Sequence, residues 1–199
     1  IDFSRKKIID HLRQQAYLTK GVRIDIRDLR KKGEPYYHSL CFEGGLSSFL
    51  DYLIGASAPL QKNYFYARRE AEGVDVEVAF TYTEDVETEE MSFANNIHTP
   101  DGGTHVTGFR TALTRTLNDY GKKEGVIKDT KDNFTGDDVR EGLVAAISVK
   151  LREPQFEGQT KARLGNPEAR SAVETVTGEA LKEFLERFPN DGKAILQKN

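Results

Sequence analysis

The sequence predicts an α+β fold, a mixed and largely antiparallel sheet with helices on one face, and three observations carry that prediction. Val74, Val76, Val78, Phe80 and Tyr82 hold a strict period of two within one of several consecutive strand-like runs, as in a sheet with one face on a core. Two later segments, residues 106–120 and 169–188, repeat their apolar residues every three or four positions, the mark of a helix with one buried face. Between them LVAAISVKL, residues 143–151, is the most apolar run in the chain and fits a central strand.

The elements follow in order. Ile8, Ile9, Leu12 and Ala16 space out an amphipathic helix over residues 3–17, with Ser4 placed to cap it. Arg5, Lys6 and Lys7 oppose the helix dipole in its first turn and read as a solvated face. Val22, Ile24 and Ile26 alternate as in a half-buried strand, RDLRKKGEP is a charged hairpin loop, and YYHSLCFE returns as the paired strand. Gly44 and Gly45 open a short helix carrying Leu46, Phe49, Leu50, Leu53 and Ile54, which closes at Gly55. NYFYARRE and VDVEVAFTYT are strands, the acidic EDVETEE is a turn, and EEMSFANNI is a further strand that runs out at Asn95 and Asn96.

The longest credible helix enters through a turn at residues 100–103, where Pro100 cannot continue a ladder and Gly102 and Gly103 permit positive φ. Asp101 or Thr104 can supply the capping oxygen. Val106, Phe109, Leu113, Leu117 and Tyr120 form its apolar face. On a wheel of about 100° per residue, Arg110 flanks that face and Arg115 lies nearly opposite. Gly108 inside the helix marks close approach of another backbone. GKKEGVIKDTKDN has no apolar period and reads as a loop, while FTGDDVREGL reads as a helical turn capped by Thr135 or Asp137. Asn166, Pro167 and Glu168 then start a helix that Pro189 stops. The chain begins at Ile1 and ends just after a new helix start near Asp191, so it reads as part of a longer protein.

Composition narrows the chemistry. A net charge of −3 gives no basic surface overall, so any nucleic-acid contact must come from a local patch. Cys41 is alone, which fits a reducing cytoplasm, and no run of 18 apolar residues suggests a membrane span. Cys41 and the histidines His11, His38, His98 and His105 show no metal-ligand spacing, so no metal site is expected. No phosphate-binding glycine loop and no nucleophile elbow is present, and His105 is expected to hydrogen-bond within its own helical turn. What remains is Gln159, Thr160 and Lys161, displayed on a loop after the most apolar strand. An ammonium beside a directional amide suits the terminal phosphate of a nucleotide, and can stabilise charge on a transferring phosphoryl group.

FANNIHTPDGGTHVTGFRTALTRTLNDY, followed by TGDDVREGLVAAISVKLREPQFEGQTKARLGNPE, closely resembles the transducer domain in the ATPase region of bacterial type IIA topoisomerase B subunits, those of DNA gyrase and topoisomerase IV. DLRKKGE and FEGGLSSFLDYL fit the same pattern. The resemblance implies a ribosomal-protein-like fold with a left-handed βαβ crossover, a transducer domain over residues 1–188, and a helix from 189–199 leading to the next domain. It implies that Gln159, Thr160 and Lys161 bind ATP, with Gln159 and Lys161 reaching the γ-phosphate and Lys161 acting in catalysis. The nucleotide would be held by an upstream ATPase domain of the same chain, which would also supply Mg²⁺. It further implies a second B subunit, an A-type subunit and double-stranded DNA as partners, with Arg110 and Arg115 facing the DNA. This stretch alone should then neither hydrolyse ATP nor move DNA. The competing expectation is a free-standing nucleic-acid-binding module of ribosomal-protein-like fold, in which Lys161 and Arg110 are ordinary phosphate contacts.

Overall fold

The computed structural model describes residues 3–31 and 33–198; Lys32 of the charged loop lies outside them. The elements run α1 (Arg5–Leu18), β1 (Ile24–Asp28), β2 (Tyr36–Leu40), α2 (Leu46–Ile54), β3 (Phe65–Ala71), β4 (Val74–Tyr82), β5 (Glu89–Ala94), β6 (Ile97–His98) and α3 (Thr104–Lys123). After two single 3₁₀ turns come β7 (Leu143–Lys150), β8 (Phe156–Glu157), β9 (Arg163–Leu164), α4 (Pro167–Arg187) and α5 (Pro189–Lys198).

Five strands form the main sheet in the order β3-β4-β7-β5-β6. All its pairings are antiparallel except β5 with β7, which are parallel and have α3 between them in the chain, so the sheet is mixed and largely antiparallel as expected. β7 is the central strand, and the alternation of its side chains shows why it is so apolar. Leu143, Ala145, Ile147 and Val149 join one core, and Val144 and Ala146 join the other. The long helices α3 and α4 lie on the first face, against Val76, Val78, Phe80 and Ile147.

The expectation of helices on one face describes this long pair; the second face carries α2 in addition. Leu46, Phe49, Leu50 and Ile54 pack there on Ala79, Phe93, Val144 and Ala146, where small residues at the sheet centre let a short helix approach. Tyr17 of α1 stacks on Phe49 and Phe42, with ring centroids 4.8 and 3.8 Å away, and so attaches α1 and the separate β1–β2 ribbon to this side. The predicted α1 face is rotated slightly: Ile9 is 8% exposed but Ile8 40%.

Several local signals act as read. Ser4 Oγ accepts from Lys7 N at 3.4 Å, and α2 is bounded by Gly45 and Gly55. Thr135 and Asp138 cap one another, with Asp138 N donating to Thr135 Oγ1 at 3.2 Å and Thr135 N to Asp138 Oδ2 at 2.7 Å. Asn95 and Asn96 both take positive φ, 48° and 63°, so the strand turns back into β6 there. A cap on α3 is not made: Gly103 occupies the cap position at φ 136° with no side-chain bond to the helix. In the loop after α3, Ile127 is buried against Gly121 despite the lack of apolar period. α5 starts at Pro189, not Asp191, and Asp191 is buried, accepting from Lys62 N at 2.9 Å and Asn63 Nδ2 at 2.7 Å. That carboxylate, with Ile195 and Leu196, holds α5 on the same core.

Candidate functional site

Gln159, Thr160 and Lys161 sit at the tip of a hairpin formed by β8 and β9, which pair Phe156 with Leu164 and Glu157 with Arg163. All three are exposed, and among the described residues the side chains of Gln159 and Thr160 have no hydrogen-bond partner. The Lys161 ammonium lies 5.8 Å from the centroid of the Phe156 ring. Lys161 adopts φ 55°, a left-handed conformation that disfavours a side chain by about 1 kcal/mol, held here because Lys161 N donates to Gly158 O at 3.4 Å. The three polar groups are thus pre-arranged on a tight turn, with their hydrogen-bonding capacity unspent on the rest of the protein.

The hairpin rests on the glycine turn ahead of α3. Asp101 N donates to Ala162 O at 2.9 Å, Leu164 N donates to Gly102 O at 3.1 Å, and Gly103 bridges Leu164. A Cβ on Gly103 would fall 2.5 Å from Leu164 N and 2.9 Å from its Cα, so glycine is required by contact as well as by φ. This is why neither Asp101 nor Thr104 caps α3: the turn is shaped to seat another strand. On the other side Asn166, expected as the cap of α4, makes no capping bond and binds the hairpin's own chain ends instead. Sequence reasoning missed both anchors, because their partners lie up to about sixty positions away.

The remaining predicted residues are elsewhere. Arg110 pairs with Glu90, its Nε 3.0 Å from Oε2, and Arg115 Nη1 pairs with Glu174 Oε1 at 2.7 Å. Arg110 and Arg163 line one cavity of about 270 Å³ with Glu90 and Asp101, which brings Arg110 near the base of the hairpin; Lys161 does not line it. His105 is fully buried and bonds across to Thr99, Nε2 to Oγ1 at 3.2 Å, in place of a bond within its own turn. Thr99 in turn exchanges bonds with Ser92 on β5, so the imidazole ties α3 to the sheet edge. Burial pushes its pKa down to about 4, and Nδ1 has no hydrogen-bond partner among the described residues. Among the described residues no group of three metal-ligating side chains occurs.

The family model for DNA gyrase B matches residues 45–199, from the start of α2 through α5. The chain belongs to the DNA gyrase B family. It is 44% identical over 188 residues to the DNA gyrase B subunit of Bacillus mycoides, covering 94% of this chain and 46% of that protein. The figure for the Clostridium acetobutylicum relative is 42% over 198 residues, covering 99% and 31%. The chain therefore spans less than half the length of these gyrase B relatives. Among solved structures it superposes on the 43K ATPase domain of Thermus thermophilus gyrase B, bound to an aminocoumarin, with TM-score 0.87 and 41% identity, over 100% of this chain and 52% of that one. The topoisomerase IV ATP-binding domain of Francisella tularensis gives TM-score 0.82 at 27% identity, over 100% and 52%. A gyrase B ATPase domain and a topoisomerase IV ATP-binding domain thus both contain this fold.

Proposed function

We propose that this chain is the transducer module of an ATP-dependent type II DNA topoisomerase, and that its β8–β9 hairpin touches the γ-phosphate of ATP held by a preceding domain of the same protein. The observation that carries this is the hairpin tip: an exposed amide, hydroxyl and ammonium, none of them engaged in a hydrogen bond, on a turn clamped to the first turns of two core helices. That donor set fits a terminal phosphate, with Gln159 directing a hydrogen bond and Lys161 placing a point charge against the developing negative charge. Loss of the γ-phosphate removes these contacts and shifts the hairpin on α3 and α4, which would pass nucleotide state to the DNA-handling parts of the assembly. Mg²⁺ enters through the preceding domain.

In this scheme residues 1–188 are the transducer and residues 189–199 lead on toward the next domain. Its partners are a second B subunit, a topoisomerase A-type subunit and double-stranded DNA in the cytoplasm. No described helix is long and apolar enough to cross a membrane. Arg110 and Arg115 would meet DNA phosphates only by exchanging Glu90 and Glu174 for them, a contact that would be sequence-independent and salt-sensitive. The same pairing counts against a free-standing nucleic-acid-binding module, which would want those cations open.

The test is ATP turnover by the full-length protein containing this chain. Lys161→Ala is expected to lower it about a hundredfold, roughly 2.7 kcal/mol of lost transition-state stabilisation. Turnover equal to wild type would make Lys161 an ordinary surface residue.

A further inference from the structure

Asn166 stands at the helix-cap position of α4 yet spends its side chain on the hairpin. It is 1% exposed. Its Oδ1 accepts from Gln155 N at 2.6 Å, and its Nδ2 donates to Glu153 O at 3.0 Å and to Glu168 Oε1 at 2.8 Å. Glu153 and Gln155 lead into β8, Asn166 itself follows β9, and Glu168 is in the first turn of α4. One buried amide therefore fastens the incoming strand, the outgoing strand and the helix at a single point. A backbone bond doubles the closure, with Gly165 N donating to Gln155 O at 2.8 Å. The bond from Asn166 also holds the Glu168 carboxyl below its usual range, keeping it charged as an acceptor.

The tip has no such support of its own. Among the described residues Gln159, Thr160 and Lys161 make no side-chain hydrogen bond to the body, and the Lys161 ammonium meets Phe156 of the hairpin's own first strand, so the direction in which they point is set at the base of the hairpin. The base is fixed by the glycine seat ahead of α3, by the Gly165–Gln155 backbone bond, by Leu164 and Phe156 packed on the core, and by Asn166 at α4. The seat is made by backbone atoms, which any sequence with glycine there provides. Asn166 is the buried polar side chain that ties both ends of the hairpin to α4.

We propose that Asn166 is a positioning residue for Lys161: by fixing both ends of the hairpin to α4 it aims the ammonium at the phosphate, and it joins the nucleotide contact to the helix that would carry the signal. This inference rests on the phosphate role of Lys161. Displacement of a charged group by about 1 Å from its working position can cost up to a hundredfold in rate, and release of one of several fixings should cost part of that.

The experiment is a cycle of four full-length proteins, wild type, Asn166→Ala, Lys161→Ala and the double variant, with kcat and KM for ATP and the melting temperature measured on each. Asn166→Ala is expected to lower kcat about tenfold, leave KM within about twofold, and add no further loss in the Lys161→Ala background, because nothing is left to aim. If the two losses multiply, Asn166 acts through general stability and the proposal is overturned. It is also overturned if Asn166→Ala turns over like wild type while Lys161→Ala is slow, a result that leaves the phosphate contact standing. Wild-type turnover by Lys161→Ala removes the phosphate contact and this inference with it. Should the alanine variant fail to fold, Asn166→Asp keeps the volume and the acceptor for Gln155 N but cannot donate to Glu153 O or Glu168. It is expected to show the same fall in kcat and the same silence beside Lys161→Ala.

Discussion

Alanine at Gly108 is expected to destabilise the chain by about 3 kcal/mol, the upper end of what overpacking costs, and to lower its melting temperature by about 10 °C. Gly108 is buried in α3 where that helix crosses α4, and an added Cβ would strike the carbonyl oxygen of Arg170 and lie 3.1 and 3.2 Å from its carbonyl carbon and Cα. All three atoms are backbone in the opening turns of α4, so no rotamer change relieves the clash; α3 and α4 must separate along the most extensive helix contact in the molecule. Gly178 on α4 supplies the opposite case. Its Cβ would meet only the Arg115 guanidinium at 3.4 Å and Thr116 Oγ1 at 3.8 Å, so alanine there should fit and gain up to about 1 kcal/mol of helix propensity. Thermal or urea denaturation of the two variants checks the pair. Equal effects at both positions would refute the claim that backbone contact at Gly108 sets the helix spacing.

Acidification supplies the second large effect. His105 has its pKa lowered from 6.5 to about 4 by burial, so the folded state favours neutral imidazole and the unfolded chain takes up the proton first. The stability this represents is complete above about pH 6.5, is lost as pH falls, and is gone by about pH 4. The shift corresponds to roughly 3 kcal/mol. His98, also shifted down by burial, adds to the same trend, whereas Asp28, lowered to about 2 by its bonds with Arg30, acts only at lower pH. Denaturant unfolding at pH 7, 6, 5 and 4 should therefore show a steep decline that His105→Gln, which can still reach Thr99, flattens. Parallel curves for the two proteins would remove His105 as the cause.

The parts of this fold that were legible in the sequence are those set by short-range periodicity. Val74, Val76, Val78, Phe80 and Tyr82 announced one face of β4, and the unbroken apolar run of β7 announced a strand with both faces buried. Gly108 announced that another backbone lies close to α3, because glycine in a helix interior is costly otherwise, and the structure shows that backbone to be α4 at Arg170. Other features depend on partners that no local pattern reveals. The wheel placed Arg110 on the flank of α3 and Arg115 opposite its apolar face, but not their pairing with Glu90 and Glu174, which lie far away in sequence. Asn166 read as a helix cap because Asn before Pro at a helix start is the usual capping pattern; only the folded loop shows its amide turned toward Glu153 and Gln155. Gly102 and Gly103 signalled a turn correctly, but not that the turn is the seat for Leu164. The Gln159, Thr160 and Lys161 group was found by side-chain chemistry and by resemblance; spacing alone offers no reason to prefer that lysine over other surface lysines.

The central claim is that the hairpin senses the terminal phosphate, and amide hydrogen exchange over residues 156–164 of the full-length protein tests it most directly. With a non-hydrolysable ATP analogue the amides of residues 158–162 should exchange more slowly than with ADP, since only the triphosphate reaches the tip. Identical exchange with the two nucleotides, with both shown to be bound, would contradict it.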